Sequence, residues 1–134
     1  MQQKIEYKKL ITGYEFAPTS FILNSKAVMS YLKATEDSNR IYADDKIAPP
    51  MVIAALAMSA MSAQMELPPG TIHVSQELKF MNIAHIDETL TSYAEIINKT
   101  ERGKFHMLTF GIDVQNQNKK TVISGETCFI LPLS

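Results

Sequence analysis

The longest apolar run of the chain lies at residues 51–65 and predicts an α-helix that is buried on almost every side. Its residues are Met, Val, Ile, Leu and Ala with three polar exceptions. Pro49 and Pro50 come directly before the run, where a proline is well suited because the first turn of a helix needs no N–H donor. Residues 68–70 (Pro-Pro-Gly) are expected to end the helix.

Four segments follow in which apolar and polar residues alternate, as in strands with one buried face. The predicted strands are residues 72–80, 90–98, 105–114 and 122–131. Gly103 and the polar run at residues 115–119 provide the turns between the last three strands. Because consecutive strands joined by short turns are antiparallel, we expect an antiparallel sheet. A buried helix followed by such a sheet predicts the α+β hot-dog fold, in which the sheet wraps around a long central helix.

The N-terminal part of the chain contains shorter elements. Residues 5–10 are expected to form a short edge strand, and residues 21–23 a second short extended piece. Apolar residues within 28–32 have the spacing of one helical face, and either Asn24 or Ser25 can cap this short helix.

Composition limits the possible functions. The 134 residues fit a single domain, residues 1–134, and 46% hydrophobic with 20% charged residues is typical of a folded chain. A formal net charge of -1 disfavours nucleic acid as a partner. The apolar run is shorter than the ~20 residues that cross a bilayer, and the polar N-terminus is unlike a signal peptide. We therefore expect a cytoplasmic protein with no membrane partner.

The sequence contains no recognisable metal or nucleotide motif. His73, His85 and His106 are too scattered to form a metal motif, and each suits a position that faces solvent or a sheet neighbour. Cys128 is the single cysteine and cannot form an internal disulfide, which fits a reducing compartment. We expect neither a metal nor a cofactor.

A polar, irregular stretch at residues 35–50 precedes the apolar run. Loops of this length in compact domains are more often functional than idle. This stretch also holds the densest group of reactive side chains in the sequence: Glu36, Asp37, Asn39, Arg40, Tyr42, Asp44 and Asp45. The candidate site residues are therefore sought here and at the start of the helix.

The polar loop and the helix are followed by Pro-Gly-Thr-Ile-His at residues 69–73, Glu-Leu-Lys-Phe at 77–80 and Gly-Glu-Thr at 125–127. In order and spacing, residues 13–132 resemble the MaoC-like family of (R)-specific enoyl-CoA hydratases and acyl dehydratases. The resemblance implies that the chain binds a thioester of CoA or of acyl carrier protein and needs no cofactor. It also implies a dimer, because acyl sites of this family lie between two hot-dog subunits.

Active members of that family carry a loop of the form Asp-x-Asn-Pro-x-His. Here Asp37 and Asn39 match, whereas Arg40 replaces the proline and Tyr42 replaces the catalytic histidine. Active members also have a glycine at the start of the helix whose amide points at the thioester carbonyl, and Pro50 occupies that place without an N–H. These departures resemble the half of two-part dehydratases that lacks the catalytic histidine.

Each candidate residue takes a role from this resemblance. Hydration of an enoyl thioester needs a base, and a phenol is a poor one at neutral pH because it stays protonated. A lost base is worth roughly 10² to 10⁴ in rate and a lost oxyanion donor about 10² to 10³. We therefore expect a subunit that is slow or inactive alone and acts with a partner, either a homodimer mate or a different hot-dog subunit. The candidate catalytic residues are Asp37, Asn39 and Tyr42, and the candidate substrate-binding residues are Arg40, Pro50 and Met51.

Three other interpretations remain open at this stage. Asp37 and Asn39 are also common in turns that they stabilise themselves, and Tyr42 suits a packing position. A second interpretation is that the chain is a non-catalytic protein that binds acyl thioesters or acts as a scaffold. A hot-dog thioesterase is disfavoured because residues 50–65 contain no acid.

Overall fold

The computed structural model describes residues 4–132 and contains three α-helices and seven strands within that range. The helices are α1 (Ser25–Ala34), α2 (Ile41–Asp44) and α3 (Pro50–Ser62). The strands are β1 (Ile5–Glu6), β2 (Thr19–Ile22), β3 (Met65–Glu66), β4 (Ile72–Phe80), β5 (Thr89–Arg102), β6 (Phe105–Asn116) and β7 (Thr121–Pro132). All four predicted strands after residue 70 are present, and three of them are longer than expected.

The main sheet is antiparallel and has the strand order β2-β5-β6-β7-β4. Strands β5, β6 and β7 form a meander, and the turn between β5 and β6 contains Gly103 with a φ of 60°. Strand β4 precedes the meander along the chain yet pairs with its last strand, β7, which makes β4 an edge strand. The prediction of an antiparallel sheet is confirmed, and the predicted central helix corresponds to α3, which has 13 residues.

Helix α3 packs against the inner face of this sheet through Ile53, Ala57 and Met61, which are all buried in the main core. The helix exposes a stripe on its other side, formed by Met51, Ala55, Ser59 and Ser62. The expectation that the helix is buried on almost every side is therefore wrong, because one sheet covers only one side of it.

The end of α3 is also earlier than predicted. Buried Gln64 follows the helix, and its Nε2 donates to the carbonyl oxygen of Ala17 at 2.9 Å and to Oγ1 of Thr19 at 3.3 Å. These hydrogen bonds tie the chain after Ser62 to the start of β2. Residues 65–66 then form β3 beside β1, so the helix ends before the prolines that were expected to end it.

The N-terminal segment differs from the predicted edge strand. Only residues 5–6 are extended, and residues 7–9 form a 3₁₀-helix. Leu10 is fully buried after this turn. Lys99 reaches the turn from β5, and its Nζ donates to the carbonyl oxygens of Tyr7 at 3.1 Å and Leu10 at 2.7 Å. The charged amine thus provides hydrogen bonds to carbonyl groups that would have bonded to a neighbouring strand if β1 had continued.

The edge strand β4 is unusually open for an apolar strand. Ile72, Val74 and Phe80 are exposed by 60%, 48% and 50% respectively. A bulge between His73 and Ser75 interrupts the pairing with β7. Long apolar edges are normally covered by another element, because their free N–H and C=O groups invite a further strand.

Candidate functional site

An apolar cavity of about 160 Å³ lies beside the first residues of α3. Pro50 and Ile53 of the helix form one wall, and Val122 and Ile123 at the start of β7 form another. The remaining lining comes from the segments on either side of the helix start: Ile47, Ala48, Phe80, Met81, Asn82, Ile83 and Ala84. An apolar cleft next to the N-terminal end of a helix is suited to an acyl chain whose polar head stays near the helix N–H groups.

Two backbone hydrogen bonds fix the chain as it enters α3. The N–H of Ala48 donates to the carbonyl oxygen of Ala84 at 2.8 Å, and the N–H of Ile86 donates to the carbonyl oxygen of Lys46 at 2.8 Å. Between them, Ile47 lies directly opposite His85 in an antiparallel bridge. The segments 46–48 and 84–86 therefore form a short two-stranded clamp at the mouth of the cavity.

Asp37 and Asn39 hold their own loop. Oδ1 of Asp37 accepts from the backbone N–H of Asn39 at 3.0 Å, and Oδ1 of Asn39 accepts from the N–H of Ile41 at 3.2 Å. Both residues are exposed. These are two successive Asx turns, and they lead directly into α2.

Tyr42 and Arg40 lie where this loop becomes helix α2. Tyr42 is half-buried, which fits a residue that packs through its ring. Arg40 is exposed at the N-terminal end of α2, and its guanidinium is accessible to an anion in solution. Within the described residues, neither side chain belongs to the lining of the apolar cavity.

Pro50 is the first residue of α3, and Pro49 precedes it in extended conformation. The helix therefore begins without an N–H at its first position. Helix geometry leaves the next amide, that of Met51, without an intrahelical acceptor, so it is the first donor that the helix offers to a thioester oxygen. The side chain of Met51 is 46% exposed beside this end of the helix. Of the six predicted site residues, Pro50 is the one that lines the cavity.

A histidine on the clamp contacts a carboxylate just beyond it, and this pair was not singled out from the sequence. Nδ1 of His85 is 3.2 Å from Oε1 of Glu88, with the two side chains exposed by 50% and 22%. The other carboxylate oxygen of Glu88, Oε2, is buried and has no hydrogen-bond partner within residues 4–132. The signal in the sequence is a single His-x-x-Glu spacing, which is too common to identify a site.

A larger cleft of about 750 Å³ lies on the face of the sheet that points away from α3. Its charged lining residues are Glu15, Glu77, Glu95, Asp113, Glu126 and Lys79. An acidic lining repels the phosphates of CoA or of a carrier phosphopantetheine. The apolar cavity beside α3 is therefore the better candidate for an acyl-thioester site.

No cluster of three or more metal-ligating side chains occurs between residues 4 and 132. In the same part of the chain, no helix has the length and apolar character required to cross a membrane.

The model of the FAS1-like dehydratase domain region matches residues 10–124 of this chain. The chain belongs to the FAS1-like dehydratase family. The sequence has no significant match among curated proteins.

Solved structures of MaoC-like hydratases and dehydratases share the fold of this FAS1-like dehydratase chain. R-hydratase PhaJ1 from Pseudomonas aeruginosa has a TM-score of 0.81 at 24% identity, over 98% of this chain and 88% of its own. A MaoC-like dehydratase from Rhodospirillum rubrum has a TM-score of 0.77 at 16% identity, over 96% and 97%.

A third structure is that of a dehydratase complex. The HadBC 3R-hydroxyacyl-ACP dehydratase complex from Mycobacterium tuberculosis contains a chain with a TM-score of 0.74 at 18% identity, over 92% of this chain and 98% of its own. At these identities the structures show the fold alone. The predicted hot-dog fold and the resemblance to MaoC-like dehydratases are confirmed.

Proposed function

We propose that this chain is a subunit of an acyl-thioester hydratase or dehydratase and that it reaches full activity with a second hot-dog subunit. The apolar cavity at the start of α3 carries the proposal, because it can hold an acyl chain while the thioester stays at the helix N-terminus. Membership of a dehydratase family supports addition or removal of water as the reaction.

The size of the cavity favours a short acyl chain. At ~30 Å³ for each water-sized group, 160 Å³ accommodates roughly five such groups. Burial of each CH₂ contributes about 0.8 kcal/mol, which is about fourfold in affinity. Affinity should therefore rise by about fourfold with each carbon until the cavity is filled, and then stay constant.

The second subunit is proposed because the cavity is open on one side. Phe80, Met81 and Ile83 line the cavity and are nevertheless 50%, 57% and 62% exposed. The same stretch continues the apolar edge strand β4. A second hot-dog subunit, either another copy of this chain or a related one, would cover both the strand edge and the open wall. The HadBC dehydratase supports the pairing, because it is a complex and one of its chains shares this fold.

The predicted residues of the polar loop take supporting roles in this proposal. The Asx turns of Asp37 and Asn39 favour a role in shaping the loop. Tyr42 packs and can donate a hydrogen bond to a water molecule. Arg40 is exposed and suited to a phosphate of the thioester carrier. Met51 provides the first free amide of α3 for the thioester oxygen.

A non-catalytic acyl-thioester-binding protein is the second candidate. It is favoured by Pro50, which removes one helix donor, and by the carboxylate of Asp37, which accepts a hydrogen bond from the backbone N–H of Asn39. Both candidates require acyl binding in the cavity, and only the first requires hydration.

The proposal is tested by measuring two properties of the purified chain, alone and with added hot-dog subunits. Calorimetry measures binding of saturated acyl-CoA molecules of two to eight carbons, and loss of the conjugated double bond measures hydration of enoyl-CoA. Ile83→Trp narrows the mouth and should weaken binding by about tenfold. Ile11→Trp is the control, because Ile11 is 64% exposed and lies outside the cavity lining, compared with 62% for Ile83.

Three outcomes are decisive. Binding that depends on chain length and on Ile83, together with hydration, supports the hydratase proposal. Binding without hydration under any combination of subunits favours the second candidate. Acyl-CoA that does not bind, or binds equally to both tryptophan variants, would refute the cavity as the acyl site.

A further inference from the structure

The clamp at the mouth of the cavity places an imidazole beside the proposed acyl site. His85 lies directly opposite Ile47, and residues opposite each other in an antiparallel pair have side chains on the same face. Ile47 lines the cavity, and so does Ile83, two residues before His85 on the same strand-like segment. His85 is itself outside the cavity lining, but it follows the lining residue Ala84 and lies opposite the lining residue Ile47, with its side chain 50% exposed.

Glu88 determines the hydrogen position on this imidazole. A carboxylate oxygen accepts hydrogen bonds, so the 3.2 Å contact between Oε1 and Nδ1 of His85 favours the tautomer with the hydrogen on Nδ1. Nε2 is then the unprotonated nitrogen in the neutral ring, and it has no hydrogen-bond partner within the described residues. The second oxygen of Glu88, Oε2, is buried and has no hydrogen-bond partner among the described residues, so the contact with His85 is the one this carboxylate side chain makes there.

We propose that His85 is the proton-transfer residue of this chain and that Glu88 orients it. The proposal rests on acyl-thioester binding in the cavity as described above. It identifies a base that the polar loop does not supply, since Tyr42 replaces the expected histidine there.

In the hydration direction, Nε2 accepts a proton from water as the water oxygen bonds to C3 of the enoyl thioester. The electron pair of the C2–C3 double bond moves onto the thioester oxygen, which accepts a hydrogen bond from the amide of Met51. As this enolate collapses, Nε2 returns the proton to C2. One water molecule is added, the imidazole is regenerated and no further reactant is needed. Dehydration is the reverse sequence.

This mechanism predicts that the chain without a second subunit hydrates enoyl-CoA slowly, at a rate that depends on His85. His85→Ala should lower the hydration rate by about 10² or more, the usual value of a general base, while acyl-CoA binding changes by less than about twofold. Because His85 is half exposed, free imidazole should reach the vacated position and restore the rate by about tenfold. Glu88→Gln should lower the rate by about tenfold, since the amide orients the ring without a charge.

His106→Asn is the control for loss of an imidazole. Val114 on β6 pairs with the cavity residue Ile123. His106 lies eight residues before Val114 on the same strand, so it is roughly 27 Å from that pair. Its rate should match that of the unchanged chain.

The experiment measures hydration of a four-carbon enoyl-CoA and binding of the saturated analogue for each variant, with and without imidazole. A His85→Ala rate within about threefold of the unchanged chain would overturn the proposal, and so would a loss that imidazole does not restore. An unchanged chain that binds the analogue and hydrates nothing would also overturn it, but would leave acyl binding in place. A chain that binds no acyl-CoA would refute both proposals.

Discussion

Gly125 of β7 lies so close to the backbone of Glu77 on β4 that a Cβ at position 125 would overlap the Glu77 carbonyl oxygen. The two strands are paired at this point, with Gly125 opposite Leu78. A glycine here lets the edge strand approach the sheet, and the obstructing atom belongs to a backbone that cannot rotate away. The position of the open edge strand thus depends on a residue of the neighbouring strand.

Gly125→Ala should destabilise the chain by about 1–3 kcal/mol, the usual cost of inserting atoms where no space exists. The free energy of unfolding in urea measures the loss. Gly111→Ala is a matched control on β6, where the new Cβ would meet Cδ1 of Ile97 at 2.7 Å. Ile97 is 39% exposed and its side chain can turn away, so this loss should be smaller. Equal losses would show that the backbone overlap is not the cause.

Lys99→Met should destabilise the N-terminal turn, because it removes the amine that donates to the Tyr7 and Leu10 carbonyls but keeps the apolar stem. Hydrogen bonds to charged groups contribute about 1.5–3 kcal/mol each, and partial exposure of Lys99 places the expected loss near the lower value. Urea unfolding measures it. Lys104→Met, at an exposed position in the turn after β5, should have no effect beyond about 0.5 kcal/mol. A similar loss in both variants would contradict the assigned role.

Ile72→Lys should weaken association with a second hot-dog subunit by about tenfold or more, because a lysine buried at a strand edge loses its hydration. Ile72 on β4 and Ile22 on β2 lie on the two edge strands of the sheet and are both 60% exposed. Ile22→Lys is therefore a control of equal exposure. Sedimentation of each purified variant measures the dissociation constant. Greater weakening by Ile22→Lys would assign the interface to the other edge.

Asp37→Asn should change the hydration rate by less than about threefold. The amide oxygen of asparagine can accept from the N–H of Asn39 as the carboxylate oxygen does, so the turn is retained. Initial rates with enoyl-CoA, alone and in any complex that the chain forms, provide the measurement. A fall of 10² or more would mean that the carboxylate takes part in the chemistry, and Asp37 would then replace His85 as the first candidate.

The sequence was sufficient to predict α3 and the meander, because each depends on local patterns. Pro50 at the first helical position and alternation along β6 are visible within a few residues. The exposure of Met51 and Ala55 was not predictable in the same way, since an apolar sequence does not reveal how many of its sides the fold covers. One side of α3 is exposed because the single chain provides one sheet to pack on the helix, and the sequence of the helix does not show this.

The candidate site was harder to predict because its parts come from distant positions. The family signature directed attention to Asp37 and Asn39, whose side chains the structure shows bonded to their own loop. His85 became a candidate only through the bridge to Ile47, which no local pattern indicates. The bulge after His73 was likewise not visible, because one inserted residue leaves the alternation almost intact.

Helix α3 is anchored beyond both of its ends. The amide of Ala48 is bonded to Ala84 before the helix, and the Gln64 side chain is bonded to Ala17 after it. Because the helix is tied at both ends and Val122 and Ile123 are buried in the sheet, the exposed lining at residues 80–83 is the part of the cavity wall that is free to adjust to a larger acyl group. Substitutions within these four residues should therefore change which acyl groups the cavity accepts, while the helix and the sheet stay as they are.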